Sequence, residues 1–131
     1  LSRRQRQMCI RDRLDGVVVV TTPQEVALID ARKAIGLFER VETPILGIIE
    51  NMSYFQCPSD GKIYHIFGEG GGEREAAKLG VPLLGKIPLD ISTRFGGDEG
   101  RPVALEDPGQ NPVSAAFRQV AEQCARVVLD R

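Results

Sequence analysis

Residues 14–52 read LDGVVVVTTPQEVALIDARKAIGLFERVETPILGIIENM, and this stretch decides the fold. Gly16 to Thr22 is a β-branched run with no polar alternation, the pattern of a strand buried on both faces in a parallel sheet covered by helices. Thr22-Pro23-Gln24-Glu25 then has the form of a capping box, with Thr22 as cap, Pro23 in the first helical position and Glu25 three residues after the cap. The helix it predicts places Ala27, Leu28, Ala31, Ala34, Ile35, Phe38 and Val41 on one face at spacings of three and four. Asp30, Arg32, Lys33, Glu39 and Arg40 fall mostly on the other face. Pro44 to Met52 is a second apolar run, so strand, helix and strand form a βαβ unit with a right-handed crossover.

Outward from that unit the signals are shorter. Residues 53–67 predict irregular chain or a short hairpin. Gly68 to Gly72 predicts a loop, followed by a short helix that runs through Leu79 and stops at Gly80 and Pro82. Pro82 to Ile87 is a third short strand. Residues 88–109 hold little beyond a short helix near Ile91–Phe95. Asn111-Pro112 caps a last helix whose Val113, Ala116, Phe117, Val120, Ala121, Cys124, Val127 and Val128 form an apolar stripe. The fold class is therefore α/β, a partial doubly wound parallel sheet with helices on both faces. Three core strands are few, and their edges are apolar and unpaired.

The chain has 131 residues, 42% hydrophobic and 27% charged, the composition of one globular domain or part of one. No apolar run approaches the ~20 residues that span a bilayer, and the basic N-terminus lacks the apolar segment of a secretory signal. Cys9, Cys57 and Cys124 make an odd, sparse set that suits a reducing, cytoplasmic setting. Residues 1–13 carry five arginines against one aspartate, a net +4, whereas the rest has 12 basic and 17 acidic residues, a net −5. An acidic body argues against nucleic acid as a partner, and the apolar pattern argues against a membrane. Residues 1–13 are set apart as an unmatched basic leader, a solvated or foreign extension in preference to a tail that touches nucleic acid or a membrane surface, and residues 14–131 as the domain.

No G-x-x-x-x-G-K-[ST] stretch, G-x-S-x-G elbow or paired Cys-x-x-Cys occurs. The single histidine, His65, excludes a multi-histidine metal site. Asn51 stands at the carboxyl end of the second strand, where open α/β sheets bind ligands. Its amide can pair with the N6 and N7 edge of adenine, or it can close the strand-to-loop turn. The glycine run can hold an anion on free N–H groups or act as a flexible turn. Cys57, Asp60 and His65 can converge on a metal, or Cys57 is a free thiol on a hairpin. Cys124 lies on the apolar stripe and reads as core packing.

DGVVVVTTPQEVALIDARKAI at 15–35, PILGIIENMSYFQCP at 44–58, IFGEGGGEREAAKLGVPLLGKIPLD at 66–90 and R-x-x-G-D-x-G-R-P-V at 94–103 together resemble the Mrp (ApbC) family. These are P-loop ATPases of the deviant Walker class, related to MinD, ParA and the nitrogenase iron protein, that act as iron–sulfur cluster carriers. The resemblance covers residues 14–129. It implies a homodimer that binds ATP with magnesium and holds a [4Fe–4S] cluster for delivery to apo iron–sulfur proteins. It implies that Asn51 reads adenine and that Pro88, Leu89 and Asp90 line the adenine pocket. Thr21, Thr22, Pro23 and Gln24 resemble the junction near the nucleotide and the dimer interface. Cys57 matches the first cysteine of the family's C-x-x-C, and Asp60 stands in place of the second. Two such chains supply two thiolates where a conventional cluster takes four, which leaves carboxylate ligation by Asp60, another mode of binding, or no cluster. The alternative within the same superfamily is a ParA- or MinD-like positioning ATPase. A non-catalytic adaptor that dimerises through the sheet edge is a third reading.

The family's N-terminal half, with its lysine-bearing P-loop and magnesium segment, has no counterpart in this sequence, and a foreign junction is expected at Arg13/Leu14. Adenine contacts alone discriminate by ~1–3 kcal/mol, whereas millimolar binding already takes about 4.1 kcal/mol. The resemblance thus implies a parent that hydrolyses ATP, while this chain is expected to bind nucleotide weakly and not to hydrolyse it.

Overall fold

The computed structural model describes residues 14–130; the basic leader and its junction lie outside the described residues, apart from Leu14 itself. β1 (Val17–Thr21), helix α1 (Glu25–Arg40) and β2 (Ile45–Glu50) form the expected βαβ unit. The hairpin β3 (Phe55–Gln56) and β4 (Ile63–Tyr64) follows, then α2 (Gly71–Leu79), β5 (Leu83–Lys86), α3 (Ile91–Asp98), a 3₁₀ turn at Val103–Leu105, and α4 (Pro112–Leu129). The main sheet is parallel in the order β1-β2-β5, so β2 is central. Val19 lies opposite Ile48, and Glu50 opposite both Thr21 and Lys86.

Alternate residues of the central strand feed two separate cores, as the period of two in a strand requires. On one face Ile48 packs with Val19, Ala31, Ile35 and Ala76 beneath α1 and α2. On the other, Ile49 packs with Leu84, Ile87, Val103, Val113 and Val120 beneath α4 and the 3₁₀ turn. Helices thus cover both faces of a doubly wound parallel sheet. The approach of α4 depends on Gly85: a Cβ there would meet Val120 Cγ2 at 2.5 Å. Cys124 packs at the margin of this second core, as its place on the apolar stripe implies.

Several local expectations are corrected. The capping box does not form. The first helix begins at Glu25 with Gln24 as its cap residue and no side-chain cap bond, and the Thr22 hydroxyl donates to Gln24 Oε1 at 3.2 Å. The Pro23 carbonyl packs closely on Gly71, 2.7 Å from where a Cβ there would stand. β1 is not buried on both faces either. Val20 is 59% exposed, because α4 lies over β5 and β2. Ala121 and Val128 leave the stripe of α4 and are exposed, since the helix touches the sheet along a narrower band than the pattern suggests. The other signals hold: Asn111 caps α4 by accepting the Val113 and Ser114 N–H groups, and Gly80 ends α2 in the left-handed region. Among the described residues no helix is long and apolar enough to cross a membrane.

Candidate functional site

The carboxyl ends of β1, β2 and β5 lie side by side, and the candidate residues gather around them. The Asn51 N–H donates to Thr21 O at 2.6 Å and ties the ends of β1 and β2 together. Asn51 Oδ1 accepts the Met52 N–H at 2.9 Å, and Met52 takes a left-handed backbone with φ of 51°, so the side-chain bond supports a strained turn. Asn51 is half-buried and lines a hollow of about 350 Å³ with Thr21, Thr22, Ala27 and Asp30.

Glu50, the residue before it, is 1% exposed. Its Oε1 accepts from Ser53 Oγ and its Oε2 from the Gly72 N–H, each at 2.6 Å. The anion held by the glycine run is thus the chain's own carboxylate, placed at the helix N-terminus where the dipole favours it. The run is a packed junction rather than a flexible turn, since a Cβ on Gly72 would meet Glu50 Oε2 at 2.6 Å. Beside it, Lys86 at the tip of β5 pairs with Glu73, which holds the ammonium above and the carboxyl below their ordinary values.

Cys57 opens a tight turn in which the Gly61 N–H donates to Cys57 O, while the Cys57 N–H donates to Lys62 O, both at 2.9 Å. The Ser59 hydroxyl, 3.1 Å from Sγ, and the backbone N–H groups of Ser59 and Asp60 hold the thiol below its ordinary value. The Asp60 carboxylate works against them, and its Oδ1 also accepts the Lys62 N–H at 2.9 Å. His65 turns to Glu69, with Nε2 3.5 Å from Oε1. Among the described residues no group of three or more His, Cys, Asp and Glu side chains comes together to hold a metal ion, so the convergence of Cys57, Asp60 and His65 does not form. Cys57 and Asp60 stay together on the one turn, while His65 is drawn away to Glu69.

A cleft of about 400 Å³ lies beside this turn. Cys57, Pro58 and Gly61 form one wall, Pro88, Leu89 and Asp90 another, and Gln110, Asn111 and Pro112 the third. Asp90 is rigidly placed: burial raises its pKa, but bonds from Ser92 and Thr93 outweigh this and hold it below its ordinary value. The structure therefore brings Cys57 together with Pro88, Leu89 and Asp90, and sets Asn51 in the neighbouring hollow. Asp60 sits on the Cys57 turn but does not line the cleft. Sequence reasoning missed Glu50, whose signal is a lone carboxylate ending a buried apolar run. It also missed the 110–112 wall, for which the sequence has no local signal.

The chain matches the family model described as NUBPL iron-transfer P-loop NTPase over residues 5–125. It is 49% identical over 110 residues to the iron–sulfur cluster carrier protein of Pyrococcus furiosus, which covers 84% of this chain and 37% of the relative. It is 47% identical over 114 residues to an iron–sulfur protein required for mitochondrial NADH dehydrogenase in Arabidopsis thaliana, covering 87% and 36%. Among solved structures, it resembles a nucleotide-binding protein from Archaeoglobus fulgidus in complex with ADP, with a TM-score of 0.59 and 40% identity over 66% of this chain and 36% of that one. The cell division ATPase MinD of Pyrococcus furiosus gives a TM-score of 0.65 at 27% identity, over 86% and 43%. The chain thus spans little more than a third of the length of the carrier proteins it matches.

Proposed function

The chain belongs to the NUBPL iron-transfer P-loop NTPase family, and from that premise we propose that it is the base-reading and cargo-holding part of an ATP-dependent iron–sulfur cluster carrier. Cys57 is the cargo ligand. The observation that carries this is the Cys57 turn, where Ser59 and two backbone N–H groups favour the thiolate, the form that binds iron. Asp60, on the same turn, is the carboxylate ligand beside it. The carrier works as a homodimer, in which the Cys57 turns of two chains together hold a [4Fe–4S] cluster.

The nucleotide is ATP, with magnesium bound by parts of the carrier outside this sequence. Asn51 and the Pro88–Asp90 segment flank the strand ends and supply contacts to the base, while the cluster passes to apo iron–sulfur proteins. The carrier acts in the cytoplasm and uses neither nucleic acid nor a membrane as a partner. The likeness to MinD is compatible with a positioning ATPase, but the Cys57 turn and the higher identity to the cluster carriers favour the carrier reading.

The test is anaerobic reconstitution with ferrous iron and sulfide. The expected result is bound iron and sulfide with visible charge-transfer absorption, lost in Cys57→Ala. Equal iron and sulfide on the Cys57→Ala chain would overturn the assignment.

A further inference from the structure

The turn that carries Asn51 and Met52 is held from beneath. Glu50 and Ser53, which flank it, are 1% and 3% exposed, whereas Asn51 is half-buried and Met52 exposed. The Ile87 N–H donates to Glu50 O at 2.9 Å, and the Ser53 N–H donates to Ile87 O at 3.0 Å, so both ends of the turn close on one residue just past β5. Within that ring the Ser53 hydroxyl donates to Glu50 Oε1 at 2.6 Å, while Glu50 Oε2 is taken by the Gly72 N–H. Met52 and Glu42 are the non-glycine residues with positive φ among the described residues. A methionine keeps such a backbone only where its surroundings over-determine it, and outliers of this kind gather at binding sites. The same backbone presents the Met52 N–H to Asn51 Oδ1, so the side chain of Asn51 is set by the turn.

We propose that Ser53 and Glu50 are positioning residues for the base contact: their buried bond locks Met52 left-handed, and that turn sets the Asn51 amide in the hollow it lines. This rests on the assignment of Asn51 to the base and adds what holds it there. Neither Ser53 nor Glu50 lines the hollow, so both act through Asn51.

The test compares the parent chain with Ser53→Ala, Ser53→Ala/Met52→Gly and Glu75→Gln by NMR. Glu75→Gln disturbs a different buried contact and controls for lost stability alone. In the parent, Met52 should give the strong cross-peak between its own N–H and Hα that a positive φ produces, and adenosine should shift the Asn51 side-chain amide. Ser53→Ala is expected to lose the cross-peak and to weaken adenosine binding by about fivefold or more, the lower end of what one well-placed base contact is worth. Glu75→Gln should keep both. Glycine takes the left-handed backbone freely, so the double variant should regain adenosine affinity without regaining the stability lost with the Ser53–Glu50 bond. Should Ser53→Ala not fold, Ser53→Cys keeps the shape with a much weaker donor, and the same outcomes apply. If Ser53→Ala keeps the cross-peak or the parent's affinity, or the double variant binds no better than Ser53→Ala, the positioning role is overturned and the base assignment stands. Adenosine that leaves the Asn51 amide of the parent unmoved overturns the base assignment, and the positioning role with it.

Discussion

Glu50 closes the N-terminus of the helix that begins at Gly71: its Oε2 accepts the Gly72 N–H at 2.6 Å, and both residues are buried. This contact joins the end of the central strand to α2 just beside Asn51. It requires that position 72 carry no side chain, because a Cβ would meet the carboxylate at 2.6 Å. Gly72→Ala is therefore expected to destabilise the chain by about 1–3 kcal/mol, the range of an overpacked core, measured by urea unfolding. Glu50→Asp withdraws the carboxylate by one methylene. The double variant should lose less than the sum of the two single losses, because the residues share one contact.

A second prediction concerns the cleft wall. Asn111 Oδ1 accepts the N–H groups of Val113 and Ser114 at 2.9 and 3.2 Å. Asn111→Ala removes this cap and should cost about 1 kcal/mol in unfolding free energy. Asn111→Asp keeps the acceptor at the helix N-terminus but loses the Nδ2 donation to Glu106 Oε2 and sets two carboxylates side by side, so it should recover only part of the loss.

The reactivity of Cys57 gives a pH-dependent prediction. The Ser59 hydroxyl is the largest influence that lowers the thiol pKa. Removing it in Ser59→Ala should move the midpoint of the alkylation pH profile upward and slow the reaction at neutral pH. The limiting rate at high pH, where the thiolate is fully formed, should change much less. An unmoved midpoint would show that the backbone N–H groups alone set the thiol.

Acid should loosen the contact between the two helices on one face. Arg32 Nε donates to both oxygens of Glu75 at 2.7 and 2.9 Å, and Glu75 is 3% exposed. These bonds hold the Glu75 carboxyl below its usual value of 4.5. The folded-state pKa is depressed, so the stabilisation is complete above the unfolded carboxyl range and is lost as pH falls through the lower folded value. Glu75→Gln should therefore melt below the parent chain at neutral pH. The two melting temperatures should converge in acid, where the parent's carboxyl is itself protonated.

The βαβ unit was legible because residues 16–52 switch between an unbroken β-branched run and a helical period, and each period names its own element. The cap at Asn111-Pro112 was legible for a similar reason: its partners lie within three residues. Features decided by distant chain were not. The close approach of Pro23 to Gly71 beside the start of α1, and the exposure of Val20 that follows from where α4 lies, have no mark in the local pattern. The site divides in the same way. Asn51 was found from its place at a strand end, whereas the cleft that joins Cys57 to Pro88–Asp90 is closed by residues 110–112, far along the chain. The family resemblance grouped Asn51 with Pro88–Asp90, but in the structure they line two different hollows.

Gly85 carries a mechanical consequence. Because Val120 rests on its bare backbone, the last helix rides at a height set by a single hydrogen atom. The same helix starts at Pro112, in the cleft wall. It therefore behaves as a beam with its fulcrum under the middle and its tip at the mouth of the cleft. A methyl group inserted at the fulcrum would tilt the beam and change the aperture beside Cys57 without touching any residue that lines it.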